Sequence, residues 1–386
     1  MEQAKPNCNN PLLKRLALAL FGLFSGVCIL EFGIRFVAPQ GLVTEHFRYE
    51  STPQGGPGFR LQPGLWLPGP EGGRINSLGL RGQELPAKSD AQRVLVLGDS
   101  FVYGAGVPLA DSLPAQLQGL AGDQFEFVNA GTPSYGTGRE LAWLETYGEL
   151  VSADEVLLAV FVGNDFTDNL ELDAPRVIDG RLFSGAAAKG SAVKKSARVW
   201  VNSSHLYRLL QRRSYGQKDV EKPVEQNKVS PMSAEQQAAL VALKDKFAQR
   251  QVGRLSIYTP ESGVDPRVDL AYDMTRLGLD GIASWCNQRK MPLRVVLIPD
   301  VLQVEPDMRE RALHQAGREN VSADFERPQR ELVLWCEQLE LECVDLLERM
   351  RAETENLGHS LYLFGDSHWN AEGHQLAAEL VKKALY

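Results

Sequence analysis

The stretch Arg93-Val94-Leu95-Val96-Leu97-Gly98-Asp99-Ser100-Phe101 decides how this chain reads. Four consecutive apolar residues, ended by a glycine and two small polar residues, have the character of a short buried strand and the turn after it. In open α/β sheets, ligands bind just outside the carboxyl ends of the strands. Ser100 would stand there, which makes its hydroxyl a candidate nucleophile. A neutral serine attacks poorly unless a base takes its proton and an acid orients that base. Both residue types occur together near the other end of the chain, in Gly365-Asp366-Ser367-His368-Trp369-Asn370.

Further strands follow the first. Phe125 to Asn129 alternates like a strand end, and Val156 to Val162 is continuously apolar. Leu293 to Pro299 has the same character, and Leu341 to Leu347 is a shorter case. Helical periodicity fills 138–150, 268–288 and 325–340. Strands alternating with helices imply a mostly parallel sheet covered on both faces, an α/β fold. Residues 170–260 break this rhythm. They carry Gly185 to Ser191, then Lys194 and Lys195, then a helix-like stretch from His205 to Arg213. They read as an insertion, either a solvated excursion or a lid over the site. Residues 38–90 are rich in glycine and proline and read as a turn-rich stalk.

The chain has 386 residues, 44% hydrophobic and 23% charged, enough for a sizeable packed core. A net charge of -8 argues against nucleic acid as a partner. Leu16 to Leu30 carries no charge, and continuing to Val37 gives a helix of about 33 Å at ~1.5 Å per residue, enough to cross a bilayer. Glu31 and Arg35 stand at i,i+4 spacing near its far end, where they can pair. Lys14 and Arg15 precede the apolar run and favour a cytoplasmic amino terminus. The expected organisation is therefore a tail at 1–15, an anchor at 16–37, the stalk, and a catalytic domain over 91–386 outside the cytoplasm. A cleaved signal would want small residues at its cleavage site. Ser25-Gly26-Val27-Cys28 fits that poorly, and as a lipidation site it has Val27 where a small residue is expected. A buried core helix is the remaining alternative. Beyond Cys8 and Cys28, Cys286, Cys336 and Cys343 allow at most one disulfide, and buried free thiols are the expected state. No cysteine spacing suggests a zinc site.

Asp366 lies two residues before His368, so in a loop it can fold back onto the second ring nitrogen. Gly365 and Asn370 support a loop, and the helical stretch Ala371–Leu385 would fix it. Acyl transfer also needs donors for an oxyanion. The Ser100 backbone N–H is one candidate. The Asn164 side chain in Val162-Gly163-Asn164-Asp165 is another. A backbone N–H from Asn129-Ala130-Gly131-Thr132-Pro133-Ser134-Tyr135-Gly136 is a third. Each block alone has an ordinary reading, as a turn or a helix cap. Asp165 and Asp168 read as shaping the asparagine turn, and His374 as structural. His205, His314 and His359 have no partner pattern.

Taken together, the blocks resemble the SGNH (GDSL-type) hydrolase superfamily over roughly residues 74–386. That resemblance implies a flavodoxin-like three-layer α/β/α sandwich. It implies Ser100 as nucleophile, His368 as base and Asp366 as acid. The implied oxyanion donors are Ser100, Ser134 and Asn164, with Asp99, Gly131 and Gly136 in support. Ser134 stands where the family usually has glycine. The Asp-x-His spacing, shorter than the usual Asp-x-x-His, resembles the membrane-associated polysaccharide O-acetyl-transfer branch, including alginate acetylation proteins. Arg74 to Gly82 resembles a lead-in found in membrane-anchored bacterial relatives. The implied function is a serine-dependent acyl-ester hydrolase or O-acyltransferase acting on an acylated cell-envelope or exported glycan. It is expected to need no metal or organic cofactor. The alternatives are a lipase or thioesterase at the membrane, and a non-catalytic glycan-binding or assembly protein on the same fold.

Overall fold

A computed structural model describes residues 11–37, 47–67, 73–170, 176–178, 181–183, 234–258, 267–318 and 323–386. The chain divides into two units, Met1–Glu45 with Gly190–Val229, and His46–Lys189 with Ser230–Tyr386.

The described part of the first unit is a single helix, α1 (Pro11–Val37). Within it Lys14–Gly33 has a mean hydropathy of 2.0 and is not buried by protein. Leu18, Phe21, Phe24, Ile29 and Phe32 are all exposed. A helix that is apolar all round and uncovered by protein is suited to a hydrocarbon surrounding. α1 is a candidate membrane span. The Arg35 side chain expected to pair with Glu31 lies outside the described residues, as do Cys8 and the stretch His205 to Arg213.

The second unit is built on a five-stranded sheet. Its strands are β1 (Gln92–Gly98), β2 (Phe125–Gly131), β3 (Glu155–Phe161), β4 (Leu293–Ile298) and β5 (Glu342–Asp345). All pairings are parallel, and across the sheet the order is 2-1-3-4-5. That is the flavodoxin-like order, with its topological switch between β1 and β3. Every residue of β3 is buried, as its uninterrupted apolar run requires of a strand covered on both faces. β5 is shorter than its apolar run. Asp345 Oδ1 accepts the Leu347 N–H at 3.0 Å and turns the chain into the next helix.

The helices, in chain order, are α2 (Ser100–Tyr103), α3 (Leu113–Ala121), α4 (Thr137–Val151), α5 (Asp165–Asp168), α6 (Ala234–Gln251) and α7 (Leu255–Tyr258). They continue with α8 (Arg267–Gln288), α9 (Val301–Val304), α10 (Pro306–Gln315), α11 (Arg327–Gln338), α12 (Leu347–Leu357) and α13 (Ala371–Leu385). The chain steps from β1 to β2 in one direction and then crosses back to β3, β4 and β5 in the other. Right-handed crossovers therefore put α3 on one face and α4, α8 and α11 on the other. α13 packs on α3, and α8 packs on α4. The three layers share one apolar core.

Residues 47–67 and 73–90, read from sequence as stalk, pack on this core. Tyr49–Ser51 pairs with Phe59–Leu61, and Trp66–Leu67 with Gly73–Arg74. Tyr49, Phe59, Leu61, Ile75 and Leu80 are buried. The buried Arg81 guanidinium donates to the carbonyls of Tyr103, Gly104 and Val107 at 2.8–3.0 Å, satisfying groups at the end of α2 and beyond it. The glycines and prolines serve tight turns. The few apolar residues between them are too sparse to read as a core element from sequence. Of the expected insertion, 176–178 and 181–183 form a short hairpin and α6 begins at Ala234. The residues between, which carry the lid expectation, lie outside the described residues.

Candidate active site

β1 ends at Gly98, and Asp99 caps the short helix α2 by accepting the Phe101 N–H at 2.8 Å. This turn holds Ser100 at the carboxyl edge of the sheet, beside the switch point. The segment carrying His368 is closed by pairing between Tyr362 and Trp369. Within it Leu363 N–H donates to the His368 carbonyl at 2.8 Å, and Asp366 N–H donates to the Leu363 carbonyl at 3.0 Å. Asn370 then caps α13 by accepting the Gly373 N–H, and donates through Nδ2 to the Ser360 carbonyl. The helix thus anchors the loop, as Gly365 and Asn370 led one to expect.

The two segments meet. His368 Nε2 lies 2.7 Å from Ser100 Oγ, across 268 residues of chain. His368 Nδ1 lies 2.6 Å from Asp366 Oδ1, which also accepts the His368 backbone N–H at 3.1 Å. The imidazole is seated on Phe101, with ring centroids 5.2 Å apart. Burial pushes the Asp366 carboxyl up. The His368 ring hydrogen bond, its charge and backbone N–H groups outweigh this and hold it at about 2. Asp366 therefore stays an acceptor suited to the Nδ1–H tautomer, in which Nε2 can accept from the serine hydroxyl. Asp99 Oδ2 is a more distant alternative for the Ser100 hydroxyl, at 3.3 Å.

The expected oxyanion donors stand at neighbouring strand ends. β1 and β2 are in register at Gly98 and Gly131, and Asn164 follows the end of β3. A Cβ on Gly131 would come within 2.0 Å of the Tyr103 backbone nitrogen, so only glycine lets β2 close onto α2. Ser134 has φ 69°, the left-handed backbone that favours glycine. Its exposed side chain points away from the core, and its N–H has no hydrogen-bond partner among the described residues. Asn164 Nδ2 donates to Asp168 Oδ2 at 2.6 Å, which fixes the amide and leaves its second N–H uncommitted. Asp165 Oδ2 accepts the Phe161 N–H at 2.8 Å. Both aspartates shape the asparagine turn.

Several contacts that the sequence reading did not anticipate assemble this edge. A Cβ on Gly136 would meet the Asp165 carbonyl at 2.7 Å, so the Ser134 loop lies directly on the Asn164 turn. Asn169 ties the two together by accepting the Gly138 N–H and donating to Thr137, both at 3.0 Å. Arg139 donates to the Ser134 and Asp168 carbonyls at 3.2 and 3.3 Å. Arg250 and Arg254, from the returning part of the insertion, reach the His368 loop. Beneath it all lie three fully buried carboxyls, Asp99, Glu140 and Asp165. Burial raises all three, Glu140 and Asp165 well above the ordinary range, where the charge of Asp99 adds to both and that of Glu140 to Asp165. None of these contacts follows a sequence pattern.

His374 is buried, stands edge-on to Trp369, and neither ring nitrogen has a hydrogen-bond partner among the described residues. Burial lowers it to about 3, so it is a neutral packing residue. His359 pairs at 2.6 Å with Glu372 at the surface. Cys286, Cys336 and Cys343 are free thiols. Among the described residues no cluster is suited to a metal ion.

No family model matches the chain, and no curated protein matches it. Solved structures do. Those it aligns with include structures described as members of a lipolytic G-D-S-L family. A member from Veillonella parvula aligns over 76% of this chain and 98% of its own, at 11% identity and a TM-score of 0.38. An acetyl xylan esterase aligns over 76% and 100%, at 12% identity and a TM-score of 0.40. A carbohydrate acetylesterase family member from Sinorhizobium meliloti aligns over 76% and 96%, at 12% identity and a TM-score of 0.32. The roles of individual residues in this chain rest on the distances above.

Proposed function

We propose that this protein cleaves or transfers acyl esters through an acyl-serine intermediate. The observation that carries the reading is the pair of contacts made by one imidazole, 2.7 Å to Ser100 Oγ and 2.6 Å to Asp366 Oδ1. Ser100 Oγ attacks the ester carbonyl and its proton passes to His368 Nε2. The tetrahedral oxyanion is held by the Ser100 and Ser134 N–H groups and the Asn164 amide. Collapse breaks the bond to the leaving alcohol, which takes the proton from His368. A second hydroxyl then repeats these steps on the acyl-serine. Water as that acceptor makes the protein an esterase, and a sugar hydroxyl makes it an O-acyltransferase. Asp366 holds the imidazole and stabilises its cation throughout.

The glycan substrate is part of the same proposal. It draws on the apolar helix α1, on the Lys14-Arg15 pair that would keep the amino terminus in the cytoplasm, and on the Asp-x-His spacing. The catalytic unit would then face acylated glycans outside the cytoplasm. The test is turnover of p-nitrophenyl acetate by the full chain and by Ser100→Ala. The variant is expected to be folded and inactive, since Ser100 makes few contacts that hold the turn. Equal turnover in both would remove the serine from the reaction.

A further inference from the structure

Two arginines four residues apart grip the loop that carries the acid and the base. Arg250, at the end of α6, donates through Nη2 to the Gly365 carbonyl at 2.8 Å. Arg254, one turn on, donates through Nη2 to Ser367 Oγ at 3.1 Å. The contacts therefore fall on either side of Asp366 and immediately before His368. The far side of Arg254 is fixed as well. Its Nη1 lies 3.4 Å from Asp300 Oδ1, and its guanidinium stands 5.4 Å over the Phe161 ring. Asp300 is fully buried and is itself held, accepting from Tyr258 Oη at 3.1 Å and capping α9. Phe161 ends β3 and its tilted ring packs on Phe101 with centroids 4.2 Å apart, and Phe101 is the platform under His368. One guanidinium thus joins the end of β3, the turn after β4 and the histidine loop.

A planar fork is suited to this task because it reaches several acceptors in fixed geometry, which an ammonium does not. The tip of the loop gains from such an external hold. Inside the Tyr362–Trp369 bridge the backbone contacts among the described residues are Leu363 with His368 and Asp366 with Leu363, and Asp366 is about half exposed. We propose that Arg254, assisted by Arg250, is a positioning residue for the His368–Asp366 pair, and that the returning arm of the insertion serves as a brace for the catalytic loop. The proposal rests on the acyl-transfer reading for its effect on turnover, but the hydrogen bond it protects is observable without a substrate. Arg254 acts through Ser367 and Phe161 and need not touch the ester.

The test uses the full chain in detergent micelles, carrying ¹⁵N-labelled histidine, as the parent, Arg254→Ala, Arg254→Lys and Ser367→Ala. The downfield Nδ1–H proton of His368 reports the bond to Asp366, and p-nitrophenyl acetate reports turnover. Arg254→Ala is expected to broaden or lose that resonance. It should also lower kcat roughly 10- to 100-fold with KM little changed, the scale of loss for a misplaced catalytic group. Arg254→Lys should fold like the parent yet recover little kcat, and Ser367→Ala should show a milder form of the same loss. Guanidinium added well below unfolding concentrations should restore part of the activity of Arg254→Ala. An unchanged resonance and kcat in a folded Arg254→Ala would overturn the proposal, as would full recovery by lysine. If the parent shows the resonance, Arg254→Ala loses it, and neither turns over ester, the brace stands and the acyl-transfer reading falls. If parent and variant are equally active, the reverse holds.

Discussion

Glu140→Gln should make stability less dependent on pH, in a direction set by the burial of that side chain. Glu140 lies in the first turn of α4, is fully buried, and neither carboxyl oxygen has a hydrogen-bond partner among the described residues. Burial, with the charge of Asp99 adding to it, raises the carboxyl well above its usual 4.5, so the folded chain holds it protonated. The unfolded chain ionises it near 4.5. Between those values the folded state binds the extra proton, so its stability is full at acid pH and falls as pH rises. Each pH unit over which only the unfolded chain ionises this carboxyl is worth ~1.36 kcal/mol. Glutamine has no proton to lose, though its buried amide leaves donors unpaired at a cost of about 1–3 kcal/mol. The stability of the variant relative to the parent should therefore rise as pH climbs above 4.5, with a slope approaching ~1.36 kcal/mol per pH unit. Urea unfolding of both full-length proteins in micelles, followed by tryptophan fluorescence across that range, measures the difference. A difference that stays constant with pH would refute the neutral buried carboxyl.

Asp366→Asn keeps the loop but no longer fixes the imidazole tautomer, and kcat for a small ester should fall on the order of 10³- to 10⁴-fold with little change in KM. A modest loss in steady-state kinetics would contradict the role given to that carboxyl. Because Asp366 is held at about 2, it stays ionised through mild acid. A pH–rate profile of the parent should show no ionisation from this carboxyl above about pH 3. Ser134→Gly relieves a left-handed backbone at φ 69° and keeps the N–H, so thermal unfolding should show a gain of a few tenths to about 1 kcal/mol with activity retained. Loss of activity in that variant would mean that the serine side chain itself has a part in the reaction.

Much of this architecture was legible because it is local. The apolar runs that became β1, β3 and β4 are short, continuous and punctuated, which is how strands buried on both faces must read. The loop around His368 was legible from Gly365 and Asn370, whose backbone and capping preferences act within a few residues. What could not be read is the long-range polar assembly. Arg254 meets Ser367 across 113 residues, and Arg139 and Asn169 stitch two strand ends whose proximity exists only after folding. Glu140 has the residue type of a solvated helix face, yet it is enclosed because α4 turns that side toward the switch point. The Gly/Pro-rich residues 47–90 misled for a related reason. Turn residues report backbone geometry, whereas Phe59, Leu61, Ile75 and Leu80 are buried by contacts that no local pattern encodes.

The most direct test of the central claim is covalent labelling of the full-length chain by a fluorophosphonate, with the adduct mapped by peptide mass analysis. The account predicts a single adduct on the peptide containing Ser100, at a rate that collapses in His368→Ala. A folded parent chain that takes no label at Ser100, or labels equally fast without His368, would contradict it.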